Sequence, residues 1–197
     1  MEENRAIVAV LAGGQGRRMG GMKASAMLGG RSLISYPLRA AGEAELEAIV
    51  VAKPATTLPP LQEQVVLEPE IPTHPLCGVI AALEFASESS AESAVVLLAC
   101  DMPFLTADLL AWMAGLEGTA MAEVGGRPQP LLARCVPAQS RELRDSLNEG
   151  TSLTAAMKRL APQMLGDEEL SAFGSPERLC FNVNSLEDLQ SAERWLA

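Results

Sequence analysis

Apolar positions along the chain alternate between short unbroken runs and longer stretches with helical spacing. Residues 6–11 are apolar throughout, carry β-branched side chains and are ended by glycine, which predicts a strand buried on both faces. Residues 33–44 place Leu33, Ile34, Pro37, Leu38 and Ala41 at helical spacing, with Pro37 tolerated near the start. Residues 48–52 (AIVVA) predict a second buried strand and residues 64–67 a short third. Proline-rich loops fill residues 54–60 and the EPEIPTHP stretch. Residues 76–86 read as a buried helix, and residues 94–99, the most hydrophobic run, as a central strand.

Further along, Thr106 is placed to cap the helix ADLLAWMAGL, with Asp108 in its first turn. Residues 120–124 and 130–135 predict two strands around a GGRPQ turn, and residues 140–148 and 152–160 two helices. LSAFGSPERLCFNVN reads as an irregular segment with a short strand in it. Ser185-Leu186-Glu187-Asp188 resembles a capping box opening a last helix over residues 186–196. Strands alternating with helices over two thirds of the chain predict an α/β fold, with a mainly parallel sheet covered on both faces. Ligands bind such sheets outside the carboxyl ends of the strands. Two of the predicted strands end in chemically loaded segments, LAGGQGRRMGG and ACDMPF, which should therefore face one crevice.

Composition narrows the options. With 197 residues, 48% of them hydrophobic and 20% charged, one domain over residues 1–197 is expected. A net charge of −10 argues against a general nucleic-acid binder, though it leaves room for a local basic pocket. The first apolar run is too short for a signal peptide or a membrane span, so no membrane partner and a cytoplasmic location are expected. Cys77, Cys100, Cys135 and Cys180 are widely spaced and read as reduced core thiols. His74 is the single histidine, which disfavours both a His/Cys zinc site and a Ser-His-Asp or Cys-His triad.

Five of the eleven residues from Gly13 to Lys23 are glycine, namely Gly13, Gly14, Gly16, Gly20 and Gly21. Bare backbone N–H groups there can cradle phosphate, and Arg17, Arg18 and Lys23 can add charge-assisted contacts. The plainer alternative is a solvated surface turn. A dinucleotide fingerprint fails because Met19 stands where its third glycine belongs, and a P-loop fails at Met22 and Ala24. Asp101, directly after the most hydrophobic strand, is placed to hold Mg2+ beside a phosphate, or else only to cap a turn. Asn182 and Asn184, two apart, share a face of an extended segment. One amide oxygen could complete a metal shell, while composition alone favours turn chemistry there.

LAGGQGRRMGGMK resembles the L-A-G-G-x-x-x-R-M-G-x-D-K signature of GT-A-type nucleotidyltransferases, and most closely that of the molybdenum cofactor guanylyltransferases. HPLCGVIAAL, CDMPF, RPQPLLAR and FNVNSLEDLQSAERWL are similar to that family's later motifs and come in the same order. The resemblance implies a three-layer, Rossmann-like fold. It implies Mg2+-dependent transfer of GMP from GTP to the terminal phosphate of molybdopterin, with release of pyrophosphate. It implies nucleotide contacts at Leu11, Ala12, Gly13, Gly14, Glu68, Leu76 and Gly78, and phosphate contacts at Arg18 and Lys23. Asp101 would hold the metal with Asn184, while Asn182 and Asn184 would meet the acceptor. Lys23, Arg18 and Asp101 would carry catalysis, and a molybdopterin carrier or target molybdoenzyme would be a plausible protein partner.

The chain also departs from the pattern. Met22 replaces an Asp, Glu68 (or Glu70) stands where an Asp would meet ribose or base, His74 replaces a glycine, and Lys53 an Asn. Gly13 and the Pro75-Leu76-Cys77-Gly78 run favour guanine over the cytosine of related enzymes that read L-A-A-G. A related transferase making a cytidylyl cofactor or an activated metabolite, or a weakly catalytic nucleotide-binding module, are the competing readings.

Overall fold

The computed structural model describes residues 6–13, 23–89 and 94–196. In chain order the strands are β1 (Ile7–Leu11), β2 (Met27–Leu28), β3 (Arg31–Ser32), β4 (Ala48–Ala52), β5 (Gln64–Leu67), β6 (Val95–Ala99), β7 (Ala120–Val124), β8 (Arg127–Cys135) and β9 (Gln163–Leu165). The helices are α1 (Ser35–Glu43), α2 (Pro75–Ser89), α3 (Ala107–Ala114), α4 (Ser140–Asn148), α5 (Leu153–Arg159), α6 (Asp167–Leu170), α7 (Pro176–Leu179) and α8 (Leu186–Leu196). None of them is long and apolar enough to cross a membrane.

Seven strands form one sheet in the order β5-β4-β1-β6-β8-β7-β9, with the expected apolar run, β6, at its centre. All five residues of β6 are buried, as an unbroken apolar strand with covered faces requires. β5, β4, β1 and β6 are parallel; β8 runs against β6 and β7, and β9 runs parallel to β7. The side chains alternate as the pleat demands. Val8, Val10, Val50, Val96 and Leu98 pack with Leu38 of α1 and with Leu109, Leu110 and Met113 of α3. Ile7, Ala9, Ile49, Val51, Val95 and Leu97 pack on the other face with Val79, Ile80 and Leu83 of α2, Leu143 of α4 and Met157 of α5. The three layers expected from the pattern are thus present.

From β1 the chain moves outward through β4 to β5, then returns to lay β6 on the other side of β1. The switch point therefore lies between β1 and β6, whose last residues Leu11 and Ala99 are register partners. Both loaded segments leave the sheet side by side at this place, where doubly wound sheets bind ligands.

Two local expectations change. The GGRPQ turn is shorter than its composition suggests: only Gly125 (φ 55°) and Gly126 (φ 72°) turn, and Arg127, Pro128 and Gln129 already belong to β8. Pro128 and Pro130 are tolerated because β6 pairs with β8 only from Leu132 onward, leaving this stretch with one open edge. The short strand expected within LSAFGSPERLCFNVN is absent among the described residues. α7 stands there instead, with Ser175 accepting from Arg178 N–H and Pro176 at its first position, and the strand lies earlier, at β9.

The hairpin turn predicts a contrast between neighbouring glycines. No heavy atom lies within 4 Å of a Cβ built on either one, so only backbone conformation is at stake. Gly126→Val should cost about 1–2 kcal/mol in denaturant unfolding, the penalty of a left-handed β-branched residue. Gly125→Asn, a residue that adopts this conformation readily, should lie within about 0.5 kcal/mol of the parent.

Candidate active site

A pocket of about 240 Å3 opens at the switch point between β1 and β6. One end is ionic. Asp101, two residues past β6 and 3% exposed, pairs through Oδ2 with the Lys23 ammonium. Lys23 Nζ also donates to Asn184 Oδ1 at 2.7 Å. Three remote parts of the chain thus meet at one point: the segment after the glycine loop, the end of the central strand, and the residues before α8. Val183 N–H donates to Asp101 O at 3.0 Å, which ties the last two together.

Asn184 is aimed by the start of α8. Ser185 Oγ accepts from Asp188 N–H at 3.1 Å, the forward half of the expected capping box. The return contact reaches one residue further than in a standard box: Asp188 Oδ2 accepts from the Asn184 N–H at 2.9 Å. Asn182 is oriented differently. The segment is not a strand, and Asn182 Nδ2 donates back to Cys180 O at 2.8 Å. Asn182 and Asn184 thus turn to different partners, and Asn184 is the one seen to meet the ionic cluster.

The other end of the pocket is built around Glu68, which follows β5 and is 5% exposed. Its carboxylate lies against two glycines. A Cβ on Gly13 would fall 1.6 Å from Glu68 Oε1, and one on Gly78 would fall 3.2 Å from Oε2. Glycine at position 13 leaves room for this carboxylate, which any side chain there would force to shift. Burial pushes the Glu68 carboxyl above its ordinary value, with the Lys53 ammonium opposing the shift. Lys53 is itself held by Pro69 O at 2.6 Å and Glu70 O at 3.3 Å, so it pins the chain leaving β5 to the end of β4.

Leu11, Gly13, Lys23, Glu68, Gly78 and Asp101 all line this pocket. Ala12 and Leu76 do not. Both side chains are buried in the core, Ala12 N–H donates to Val51 O and Leu76 N–H to His74 Nδ1. Gly14 and Arg18, with Arg17, Gly16, Gly20, Gly21 and Met22, lie outside the described residues. Lys53 and His74, two of the departures from the family pattern, also line the pocket, as do Thr73 and Leu131, which the sequence did not single out. For Lys53 there was a signal, since it ends a strand of the same parallel sheet. His74 caps α2 through Nδ1, a role that spacing does not reveal. Leu131 reaches the pocket because the β7–β8 register slips between Met121 and Ala122, leaving residues 130–132 without β7 partners, and no local motif announces a bulge. Cys100 is also in the wall, and burial together with neighbouring Asp101 pushes its thiol up to about 12, so it stays neutral and inert.

The pocket can therefore hold an elongated ligand, with anionic groups or a metal at Lys23–Asp101–Asn184 and hydrogen-bond donors at Glu68. Residues 8–165 match the model of the MobA-like NTP transferase domain. The chain belongs to that family. A molybdenum cofactor guanylyltransferase of Cereibacter sphaeroides is 36% identical, the match covering 95% of each chain. Among solved structures, molybdopterin-guanine dinucleotide biosynthesis protein A from Archaeoglobus fulgidus superposes with a TM-score of 0.76 at 24% identity, covering 96% of this chain and 98% of that one. A 2-C-methyl-D-erythritol 4-phosphate cytidylyltransferase from Thermus thermophilus shares the fold, with a TM-score of 0.67 at 18% identity over 97% of this chain and 98% of that one. As a MobA-like NTP transferase the chain is an enzyme of nucleotidyl transfer, with the mainly parallel, helix-flanked sheet of such enzymes.

The buried Glu68 sets a testable balance between site and stability. A carboxyl whose native value is raised loses stability as pH climbs from the ordinary value of 4.5 through the native one, because burial disfavours the charged form. Glu68→Gln should therefore melt at a higher temperature than the parent near pH 8, and the gap should close as the pH falls below 4.5. Equal gaps at both pH values in thermal melts would contradict this account.

Proposed function

We propose that the enzyme transfers GMP from GTP to the terminal phosphate of a molybdopterin-type acceptor and releases pyrophosphate. The observation that carries this reading is the joining of two ends in one pocket: Lys23, Asp101 and Asn184 at one, and Glu68 over Gly13 and Gly78 at the other. Support comes also from the curated relative's name and from the matched domain.

An ionised carboxylate is an acceptor only. Guanine presents adjacent N1–H and N2–H donors that Glu68 can take up together, whereas cytosine presents one donor beside an acceptor. This accounts physically for a guanine preference where Gly13 stands, since a methyl group there would collide with Glu68. At the other end, the Lys23 ammonium is placed to bind the triphosphate. The acceptor's phosphate oxygen attacks the α-phosphorus, the bond to the bridging oxygen breaks, and pyrophosphate leaves. The acceptor is its own nucleophile, so the residues act by positioning and charge neutralisation.

Asp101 and Asn184 fit Mg2+ by donor chemistry: one carboxylate and one amide oxygen already converge on a cation, the Lys23 ammonium. Bound there, Mg2+ would supply polarisation of the phosphate and neutralise charge on the leaving pyrophosphate. The side chains' own part is to hold the site in place, with Asp188 orienting Asn184 and Val183 N–H fixing the Asp101 backbone.

Calorimetry with GTP, CTP, ATP and UTP, each with and without Mg2+, tests the reading. GTP with Mg2+ should bind tightest, and tighter binding of CTP would overturn the guanine assignment. Asp101→Ala should lower pyrophosphate release at least about a hundredfold. Gly13→Ala should weaken GTP about tenfold or more by displacing the Glu68 carboxylate. Equal pyrophosphate release by the parent and Asp101→Ala would reduce the protein to a binding module.

A further inference from the structure

Lys23 Nζ contacts Asp101 Oδ2 and Asn184 Oδ1 at once. These two oxygens are donors suited to a divalent cation, so the ammonium and the metal contend for one place. We propose that Lys23 holds the metal's position on Asp101 and Asn184 until a nucleoside triphosphate draws it away, so that the divalent cation enters with the nucleotide and not before it. This rests on the nucleotidyltransferase reading of the pocket and adds an order of binding to it.

Three features carry the inference. First, the Asp101 side chain is 5% exposed, and a carboxylate so far out of water needs a cation beside it. The ammonium is tethered to the chain, so it meets this need at all times without a concentration term. Second, the protein alone is a poor cage for Mg2+, which takes six oxygens in near-octahedral array. Among the described residues no three His, Cys, Asp or Glu side chains cluster as metal ligands, so phosphate and water are the natural source of further oxygens. A free ion would have to displace Lys23 to reach Asp101 and Asn184. Third, a triphosphate reverses the balance. It supplies further metal oxygens and gives Lys23 a second anion to bind. The Lys23 side chain is 19% exposed on a flexible four-carbon stem, so the ammonium can turn toward phosphate while Asp101 stays fixed at the strand end. Each ion keeps a partner of opposite sign throughout the exchange. Linkage then requires nucleotide and metal to strengthen each other by the same factor, and Lys23 supplies part of it.

The test uses Mn2+ as the probe ion, read by electron paramagnetic resonance on the full-length, nucleotide-free protein. Lys23→Met should bind Mn2+ about tenfold tighter than the parent, since removing the ammonium frees the buried carboxylate for the metal. Lys23→Arg, which keeps a cation in place, should stay as weak as the parent. Adding Asp101→Asn to Lys23→Met should abolish the gain and so locate it. Lys23→Gln substitutes for Lys23→Met if that variant fails to fold by circular dichroism. Unchanged Mn2+ affinity in the uncharged variant, equal gains in the Arg and Met variants, or a gain that survives Asp101→Asn each overturns the proposal. GTP calorimetry on the parent separates the two readings. A parent that binds GTP with Mg2+ while Lys23→Met shows no gain keeps the proposed function and loses the exchange. A gain in a protein that binds no nucleotide overturns the proposed function and, with it, the nucleotide-driven exchange.

Discussion

A buried carboxylate cannot stand alone, and much of this molecule is arranged around that requirement at Asp101. β6 is apolar on both faces and so takes the centre of the sheet. Asp101, two residues past its end, is thereby carried to the middle of the strand ends, where little water reaches. A charge there is sustainable only if a cation is brought to it. Lys23 brings one from the first loop, and the switch-point topology makes this possible by laying β1 directly beside β6. Had β6 been added outside β5, the two segments would end on different strands of a wide sheet and the ion pair would not form.

The same topology reconciles an acidic chain with an anionic ligand. A net charge of −10 repels triphosphate at long range, where salt screens the field beyond about 8–10 Å. Within the pocket only near groups count. At the ionic end, among the described residues, these are the Lys23 ammonium and the carboxylate it neutralises. The other buried acid, Glu68, is placed at the opposite end, against two glycines. Separating the two carboxylates lets one serve a cation and the other serve hydrogen-bond donors. In the proposed reaction these are the metal-triphosphate and the base.

The sheet was legible because its strands are written in the strongest local signal, unbroken apolar runs ended by glycine, proline or acid. Residues 48–52 and 64–67 coincide with β4 and β5 for this reason. The site was legible where a single residue type follows such a strand, as Asp101 and Gly13 do. It was illegible where function depends on which way a side chain turns. Ala12 lies between two pocket residues, yet the pleat turns its methyl group into the core. Leu76 stands two residues before Gly78 on α2 and is directed inward by the helical period. Asn182 and Asn184 share a residue type and a motif, but one folds onto its own backbone and the other reaches Lys23. The β8 bulge that delivers Leu131 depends on strand register, a property of two segments rather than one.

The C-terminal segment shows why the site extends beyond the matched domain. The family match ends at residue 165, yet Asn184 touches the central ion pair. The segment is held there by packing rather than by the sheet. Val183 and Ala192 bury against Leu28, Leu33 and Phe104, while Trp195 sets its ring edge-on to both Phe104 and Phe181. Arg178 stacks on Phe104 at 4.8 Å and donates to Trp195 O at 2.7 Å, joining α7 to the end of α8. Phe104 is three residues from Asp101, so this aromatic cluster grips the loop that carries the carboxylate. Capping of α8 then does two things at once: Ser185 satisfies the helix N-terminus, and Asp188, spared from closing the usual box, reaches back to hold the Asn184 backbone. A helix that would otherwise only pack against the β2–β3 pair becomes the mount for an oxygen donor. The remote C-terminal sequence is thus part of the site by the same logic that buries Asp101: the donors around a buried charge must be fixed in place.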